Sequence, residues 1–286
     1  MAVSTDTASE LTREQVSTIL TRPLETRSVF LAAGPRIFDT NGSPVRVPAL
    51  PQPDPDALQW VGENEQIPEV EPEFDETELL PSTMESVKVI TRYSNELARQ
   101  SVVSLDAALR DRLVSDVAAK IDGQLLSDDG DGIATPRGLF AYQGTQTLAV
   151  DGALTLDDVL AAQGLALGAN VEAGRLRLIL RPEQYMALRE AKDGDQRYML
   201  QPDATAGAVS SVLGIPVLIS PRVPTGYAAL VDFGQIAVAR DLAPSVRILT
   251  ERYADFDQQA IRVVARYDAA PLNPAAVIQL TGINGA

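Results

Sequence analysis

Two residue types are missing from this chain of 286 residues, which contains neither cysteine nor histidine. Without cysteine there are no disulfides, thiolate metal sites or cysteine nucleophiles, which fits synthesis in a reducing cytosol. Without histidine the chain lacks the commonest general base, the commonest metal ligand and every Ser-His-Asp arrangement. There is also no apolar run of ~18 residues and no secretory signal, so no membrane span is predicted. These absences weigh against an enzyme, and the sequence predicts no catalytic, cofactor-binding or metal-binding residues.

Basic residues are scarce and unevenly distributed. The chain has 24 Lys and Arg against 39 Asp and Glu, which gives a formal net charge of −15. A surface with this charge repels nucleic-acid phosphates and anionic lipid. Between Arg46 and Lys88 there is no basic residue, and the stretch contains eleven acids: Asp54, Asp56, Glu63, Glu65, Glu69, Glu71, Glu73, Asp75, Glu76, Glu78 and Glu85.

This acidic stretch also carries apolar residues, among them Trp60, the only tryptophan of the chain. One interpretation is a solvated or disordered acidic linker. The other is a ribbon, because the prolines of residues 49–56 keep the chain extended and alternation around Thr77 and Leu79 predicts a returning strand. Residues 36–85 would then form a long two-stranded excursion, which is marginal alone and needs a partner surface.

One long helix follows the acidic stretch. Residues 87–92 alternate with strand period, and Ser104 is a candidate N-cap for a helix spanning Leu105–Leu126, roughly 22 residues or ~33 Å. The turn at 127–132, rich in Gly and Asp, ends it. Every fourth residue of this helix is apolar, which gives one apolar stripe: Leu105, Leu109, Leu113, Val117, Ile121 and Leu125. Charged residues, Asp122 among them, lie off this stripe. The stripe is expected to pack on the late strands of the same subunit.

The remaining elements predict an α+β fold. A short amphipathic helix is expected within residues 1–22, an extended segment at 24–31, and a hairpin with arms at 37–38 and 44–48 around an Asn-Gly turn. Further helices are expected after Thr155, as an N-cap, and from Pro182. Strands are expected at Arg175–Leu180, Val212–Ser220, Ala228–Val231, Ile236–Ala239, Val246–Arg252, Ile261–Asp268 and Ala275–Leu280, with a loop at 193–211.

No motif for a specific chemistry withstands inspection. The acidic turn 128–132 lacks the closing Glu of an EF-hand, since the twelfth position from Asp129 is Phe140. The paired surface carboxylates lack the burial that a glycosidase requires, and no phosphate loop or nucleic-acid face is present. Four arginines remain, either as partners for the acidic ribbon of a neighbouring chain or as solvated charge: Arg36, Arg46, Arg262 and Arg266.

Taken in order, several motifs resemble those of tailed-phage major capsid proteins of the Hong Kong 97 fold. They span most of the chain. Leu24–Phe30 resembles the N-terminal arm, and Val45–Pro48 together with Trp60–Ile67 resembles the E-loop. Val87–Arg92 and Ser94–Leu97 resemble the segment that leads into the spine helix, and Leu105–Leu126 resembles the spine helix itself.

The later motifs are a turn, a strand and the closing strands. Gly130–Gly132 with Thr135–Leu139 resembles the family's G-D-G…P-x-G turn, and Leu213–Val217 resembles its L-G-x-P-V strand. Val263–Arg266 and Pro274–Val277 resemble the closing strands.

The resemblance implies an α+β capsid fold and its division. The expected parts are an N-terminal arm (1–35), an E-loop (36–83), a peripheral domain with the spine helix (84–144), an axial domain (145–243) and closing strands of the peripheral domain (244–286). The implied function is self-assembly, as hexamers and pentamers, into an icosahedral head that encloses double-stranded DNA without sequence-specific binding. The E-loop and N-terminal arm would contact neighbouring capsomers.

The resemblance also implies partners and a location. The head would contain a portal and would be assembled in the host bacterial cytoplasm as the virion capsid. A cement protein is a further candidate partner. An encapsulin-type nanocompartment shell enclosing cargo enzymes shares the fold and is the alternative. A carboxylate hydrolase without histidine is the alternative from another class, and a catalytic monomer would favour it.

Two departures from the family pattern carry expectations of their own. Some members join subunits through a Lys–Asn isopeptide bond with its lysine on the E-loop, but residues 47–87 contain no lysine, so no covalent mesh is expected. Some members begin with a long scaffolding segment, whereas about 23 residues precede the arm here, so a separate scaffolding protein, or assembly without one, is expected. Charge reversal at Glu63 is expected to impair assembly and leave the subunit folded.

Overall fold

The computed structural model describes residues 27–49, 60–62, 75–96, 105–192, 211–241, 245–249 and 251–284. The helices it bounds are α1 (Val29–Ala32), α2 (Leu105–Leu125), α3 (Leu156–Gly168) and α4 (Pro182–Glu190). The early strands are β1 (Arg36–Thr40), β2 (Val45–Ala49), β3 (Asp75–Leu79), β4 (Val87–Ser94), β5 (Gln146–Gly152), β6 (Leu176–Leu180) and β7 (Ser211–Val212). The late strands are β8 (Ile215–Ile219), β9 (Tyr227–Asp232), β10 (Ile236–Asp241), β11 (Ser245–Leu249), β12 (Gln258–Ala265), β13 (Tyr267–Pro271) and β14 (Val277–Ile283).

The strands form four sheets in the described residues. An antiparallel sheet has the order β11-β12-β4, and a second three-stranded sheet has the order β1-β10-β13 with β1 parallel to β10. A six-stranded mixed sheet has the order β5-β14-β9-β6-β8-β7, and β2 pairs with β3 as a two-stranded ribbon. The last strand, β14, therefore pairs with β5 and β9 in the six-stranded sheet.

The apolar stripe of α2 packs on the late strands, as the sequence predicts. Leu113, Val117 and Ile121 are buried in one core with residues of β12 and β13, and Val87 and Val89 of β4 pack against its edge. The alternate residues of β4 are exposed, which confirms its predicted period of two. α2 is thus held along one face by the sheet, and the N-terminal segment around Ser28 contacts it at Asp122.

A second core lies under the six-stranded sheet. Thr155 caps α3 through a capping box in which its hydroxyl accepts from the amide of Asp158 and its own amide donates to the Asp158 carboxylate at 2.9 Å. Pro182 occupies the first turn of α4. Both helix starts were predicted, and both helices contribute residues to this core.

Four sequence predictions are wrong in their pairing or conformation. Residues 29–32 are helical, not extended, because Ser28 caps them by accepting from the Leu31 amide at 3.1 Å. The expected hairpin at 37–48 is absent, because β1 pairs with β10 and β2 pairs with β3. A turn does lie between them, but its two arms enter different sheets.

The other two errors concern strands that were predicted as continuous. Residues 212–220 form the hairpin β7–β8, with the chain reversing at Leu213-Gly214. Residues 261–268 are divided at Arg266, where the chain leaves β12 and enters β13 in another sheet. At Arg266 the alternation continues across the break, so its period does not reveal the change of sheet, whereas at Leu213-Gly214 the chain reverses within one sheet.

Some predictions fall outside the described residues: the helix within 1–22, the proline-rich segment 50–56, the cap at Ser104, the loop at 193–210 and Glu63. No helix of the described residues is both long and apolar enough to cross a membrane.

Candidate assembly surface

The two-stranded ribbon β2–β3 is the most exposed extended element of the described chain. Its strands pair antiparallel from Val45 opposite Leu79 to Ala49 opposite Asp75. Arg46 lies across from the acids of β3, 3.6 Å from Glu76 and 3.9 Å from Glu78. Arg46 therefore pairs with acids of its own ribbon, and its side chain stays 67% exposed. Exposed pairs of this kind contribute little to stability.

Trp60, in the connection between these two strands, is entirely exposed. Its relative exposure is 101%, and that of the adjacent Val61 is 36%. Tryptophan is among the largest apolar side chains and is highly buried on average, so a single fully exposed one indicates a contact that the isolated chain does not contain. The linker interpretation predicts no such apolar residue next to a paired ribbon.

The foot of the ribbon is buried, in contrast to its tip. Leu79 and Leu80 have exposures of 1% and 0%, and they pack with Ala237 and Ala239 of β10. Leu80 has a φ of 58°, in the left-handed region that a branched side chain rarely adopts. The chain bends at this residue from the ribbon into the body, and the burial of Leu80 holds that bend in place.

Asp268 fixes the bend through its carboxylate. One oxygen accepts from the Leu80 amide at 2.7 Å and the other from the Ala269 amide at 2.9 Å. Burial raises the pKa of Asp268, and burial together with the nearby Asp268 also raises the pKa of Tyr142. Arg266 donates to the Pro81 carbonyl, so it contacts the segment that follows its own ribbon.

The turn after α2 ties down the exit from the ribbon. The Thr83 hydroxyl donates to the Ile133 carbonyl and the Glu85 amide to the Ala134 carbonyl, both at 2.8 Å. One oxygen of Asp131 accepts from three backbone amides within the turn, each at 2.9 Å, which lowers the pKa of Asp131 to about 2. This carboxylate is occupied by its own backbone, consistent with the rejection of a calcium loop.

Gly138 explains the P-x-G spacing in the same turn. A Cβ at this position would lie 2.1 Å from the Ser127 carbonyl oxygen, so only glycine permits the close approach of the two chain segments. The Gly138 amide donates to the Asp129 carbonyl at 2.9 Å and the Phe140 amide to the Ser127 carbonyl at 3.1 Å. The turn is thus a fixed connector between α2 and the ribbon.

A second carboxylate, Asp122 of α2, holds the N-terminal segment. It accepts from the Ser28 hydroxyl at 2.5 Å, the Val29 amide at 2.8 Å and the Phe30 amide at 3.2 Å. Asp122 lies off the apolar stripe as predicted, yet it is only 5% exposed, because α1 covers it. Phe30 packs edge-to-face on Phe233 beneath this contact, with 5.4 Å between ring centroids.

The other two arginines differ in exposure, and Arg262 is half-buried with a buried Nε. Arg36 at the start of β1 is exposed. Arg262 on β12 stands opposite the half-exposed Ile90 of β4, whose neighbours Lys88 and Arg92 are also exposed. This outer sheet face is basic, so these positions remain candidates for a negatively charged partner segment.

Sequence reasoning missed the two structural carboxylates and found the segments they hold. Asp122 was placed among surface charges, and Asp268 was included in a strand without any role. The available signal was local: Asp268 stands alone among apolar residues of β13, where an unpaired charge would be costly. Within the described ranges, no group of three or more His, Cys, Asp or Glu could hold a metal ion.

Comparison with known proteins gives a family over nearly the full chain. Residues 10–282 match the model described as "Phage capsid family". A search of the curated proteins found no match.

Several solved structures have the same fold. The capsid of a native GTA particle aligns with a TM-score of 0.70 at 18% identity, covering 90% of each chain. A chain of Mycobacterium phage Cain aligns with a TM-score of 0.67 at 17% identity, over 97% of this chain and 100% of that one. Microbacterium phage Oxtober96 gives a TM-score of 0.69 at 15% identity, again covering 90% of each. These matches confirm the predicted Hong Kong 97-type α+β fold.

Proposed function

The chain belongs to the phage capsid family, and on that premise we propose that it is a major capsid protein. In this proposal its copies assemble as hexamers and pentamers into an icosahedral head that encloses double-stranded DNA. The protein acts as a structural subunit and catalyses no reaction. Its location is the virion capsid, which forms in the cytoplasm of the host bacterium.

The ribbon is the observation that carries this proposal. Its foot is fixed by Leu80 and Asp268, whereas Trp60 beyond it is fully exposed. Two strands alone do not make a stable sheet, and an exposed tryptophan on a firmly attached ribbon suits burial by another copy. The ribbon would serve as the E-loop and lie across a neighbouring subunit.

The negative charge of the chain is consistent with double-stranded DNA as the enclosed cargo. A net charge of −15 provides no general attraction for phosphates, so packaged DNA would remain mobile inside the shell. No sequence-specific DNA contact is proposed.

We propose the domain division in the form that the strand pairing suggests. The N-terminal arm is 1–35, the E-loop 36–83, and the peripheral domain 84–144 with most of 244–286. The axial domain is 145–243 and also takes β14, since β14 pairs with β5 and β9. The buried contact between Asp122 and α1 would anchor the arm to the spine helix α2.

Besides the chain itself, the proposed partners are the portal and a separate scaffolding protein, and a cement protein is a further candidate. Uniform closed shells from this chain expressed alone would argue against an obligatory scaffold.

The test uses Trp60, which is the only tryptophan and therefore the only source of tryptophan fluorescence. Unassembled subunits are expected to emit as a solvated indole, and the emission should shift to shorter wavelength as large particles appear in sedimentation velocity runs. If Trp60 stays solvated in the particles, the ribbon does not form an assembly contact through this residue. A chain that remains a monomer of 30.6 kDa and catalyses a reaction would contradict the capsid function itself.

A further inference from the structure

The outer side of α3 is apolar, although the packing of the subunit does not require apolar residues there. Residues 159–171 contain no charged side chain. Leu160 and Leu167 are 49% and 52% exposed, and as positions i and i+7 they lie on one side of the helix. We call Leu160, Gly164 and Leu167 the α3 ridge.

The inner side of α3 already supplies its packing. Val159, Ala162 and Ala166 are completely buried in the core under the six-stranded sheet. The capping box at Thr155 fixes the start of the helix independently of the ridge. The exposed leucines are therefore not explained by the stability of the subunit.

An uncharged surface reduces the electrostatic repulsion between two copies of this chain. Copies that each carry a net charge of −15 repel one another, most strongly where acidic surfaces meet. A ridge free of charge over about two helical turns is a place where a second copy can approach without burying unpaired charge. This favours another copy of the chain as the occupant.

A second apolar feature lies at the opposite edge of the same sheet. α3 packs on β5, β14 and β9, which form one half of the strand order, whereas the β7–β8 hairpin is the other edge. At the tip of that hairpin Leu213 is 40% exposed and has a φ of 52°.

Leu213 is an unusual residue for its position. It is followed by Gly214 with a φ of 78°, and a two-residue hairpin turn with two positive φ values favours Asn, Asp or Gly. A branched side chain there strains the backbone without gaining burial in the subunit. Its side chain suits a contact outside the subunit.

We propose that the α3 ridge of one copy receives the Leu213 hairpin tip of the next copy. Because the two surfaces are different and lie at opposite edges of one sheet, the contact joins copies head to tail, and in the proposed pentamers and hexamers it closes into a ring. The inference rests on the proposed capsid function and deepens it, since it assigns a contact within the hexamers and pentamers.

The absence of cysteine makes a cross-linking test specific. A chain carrying both Leu167→Cys and Leu213→Cys should, once assembled and mildly oxidised, give a ladder on non-reducing denaturing gels that ends at the pentamer or hexamer. Each single-cysteine chain serves as the control and should stay monomeric, because a head-to-tail contact brings together one cysteine of each kind. Reduction should abolish the ladder.

Shells of the double variant that show no ladder would overturn the contact and leave the capsid function intact. A wild-type chain that forms no shells with or without its scaffold would instead defeat the proposed function and the inference with it. The two failures are therefore distinguishable.

A second pair of variants keeps the inference testable if the double-cysteine chain does not fold. Leu160→Glu should keep the circular dichroism of the wild type and lower the yield of shells at least about tenfold, because it brings charge into the contact. Leu165→Glu is the matched control, since Leu165 is also exposed on α3 but points roughly 140° away from Leu160. Equal shell yields from both variants would contradict the proposal.

Discussion

Asp122 and Asp268 each hold an extended segment to the body of the subunit. Asp122 accepts three hydrogen bonds from α1 and its cap, and Asp268 accepts the amide at the foot of the ribbon. The held segments are distant in sequence, so the sequence could mark Asp268 as a lone charge in an apolar strand but could not name the segment that either carboxylate holds. Their type and neighbours were visible in the sequence, but their role depends on contacts that only the tertiary fold creates.

Asp122→Ala should lower the free energy of unfolding of the unassembled subunit by about 3 kcal/mol, because it leaves the buried donors of Ser28 and Phe30 without this acceptor. Asp116→Ala on the same helix is the control. It removes only an exposed pair with Arg112 and should cost less than about 1 kcal/mol. Urea unfolding followed by circular dichroism measures both, and equal losses would contradict the role of Asp122.

Asp268→Asn should destabilise the subunit by about 2 kcal/mol, because an amide has one accepting oxygen for the two amides of Leu80 and Ala269. The loss should depend on pH. Since burial raises the pKa of Asp268 above its ordinary value of 3.8, the folded chain holds this proton more tightly than the unfolded chain. The wild-type contribution is therefore largest at low pH and falls as the pH rises through the raised pKa.

The asparagine variant has no proton to lose at this position, so that part of the pH dependence should vanish. Unfolding by urea at a series of pH values from acidic to neutral compares the two chains. Parallel curves would mean that Asp268 does not titrate with a raised pKa.

At the scale of elements, α2 and β4 follow from the sequence because a single face of each is buried. A stripe with steps of four and an alternation with steps of two are direct records of that burial. Two of the four errors concern segments predicted as continuous strands, at Arg266 and at Leu213-Gly214. At Arg266 the chain passes into another sheet, and at Leu213-Gly214 it reverses within one sheet, so each break depends on how strands pair in the whole fold.

Val117→Asp in α2 should abolish folding of the subunit, because it places an unpaired charge against β12 and β13 where Val117 is 2% exposed. Leu113→Asp should behave in the same way. Lys120→Asp reverses the charge on the exposed side of the same helix and should change stability by only about 1 kcal/mol. Solubility and circular dichroism show which of the three variants fold. A folded Val117→Asp subunit would refute the packing of the stripe.

At the scale of the whole molecule, the capsid fold was recognisable from ordered motifs, each with a physical reason in the structure. Gly138 permits a close approach, and Leu213-Gly214 reverses a hairpin. The pairing of β14 with the axial strands was not recognisable, because parallel pairing with β5 joins residues far apart in the chain. From its position in the sequence, β14 was assigned to the same unit as the strands just before it, but it pairs with β5 and β9 in the six-stranded sheet.

Purified shells should dissociate completely to 30.6 kDa chains in denaturing gels, because residues 47–87 offer no lysine for an isopeptide bond on the ribbon. Their strength would come from non-covalent contacts or from a cement protein. Shells that retain a ladder of multimers after boiling in detergent and reductant would show a covalent mesh and disprove this expectation.

The central claim is that copies of this chain close into an icosahedral shell through their ribbons. Cryo-electron microscopy of the assembled protein tests it most directly. The predicted result is a closed shell of pentamers and hexamers in which each ribbon, with Trp60, lies on a neighbouring subunit. Particles without icosahedral order, or shells in which Trp60 faces solvent and the ribbon contacts only its own subunit, would contradict it.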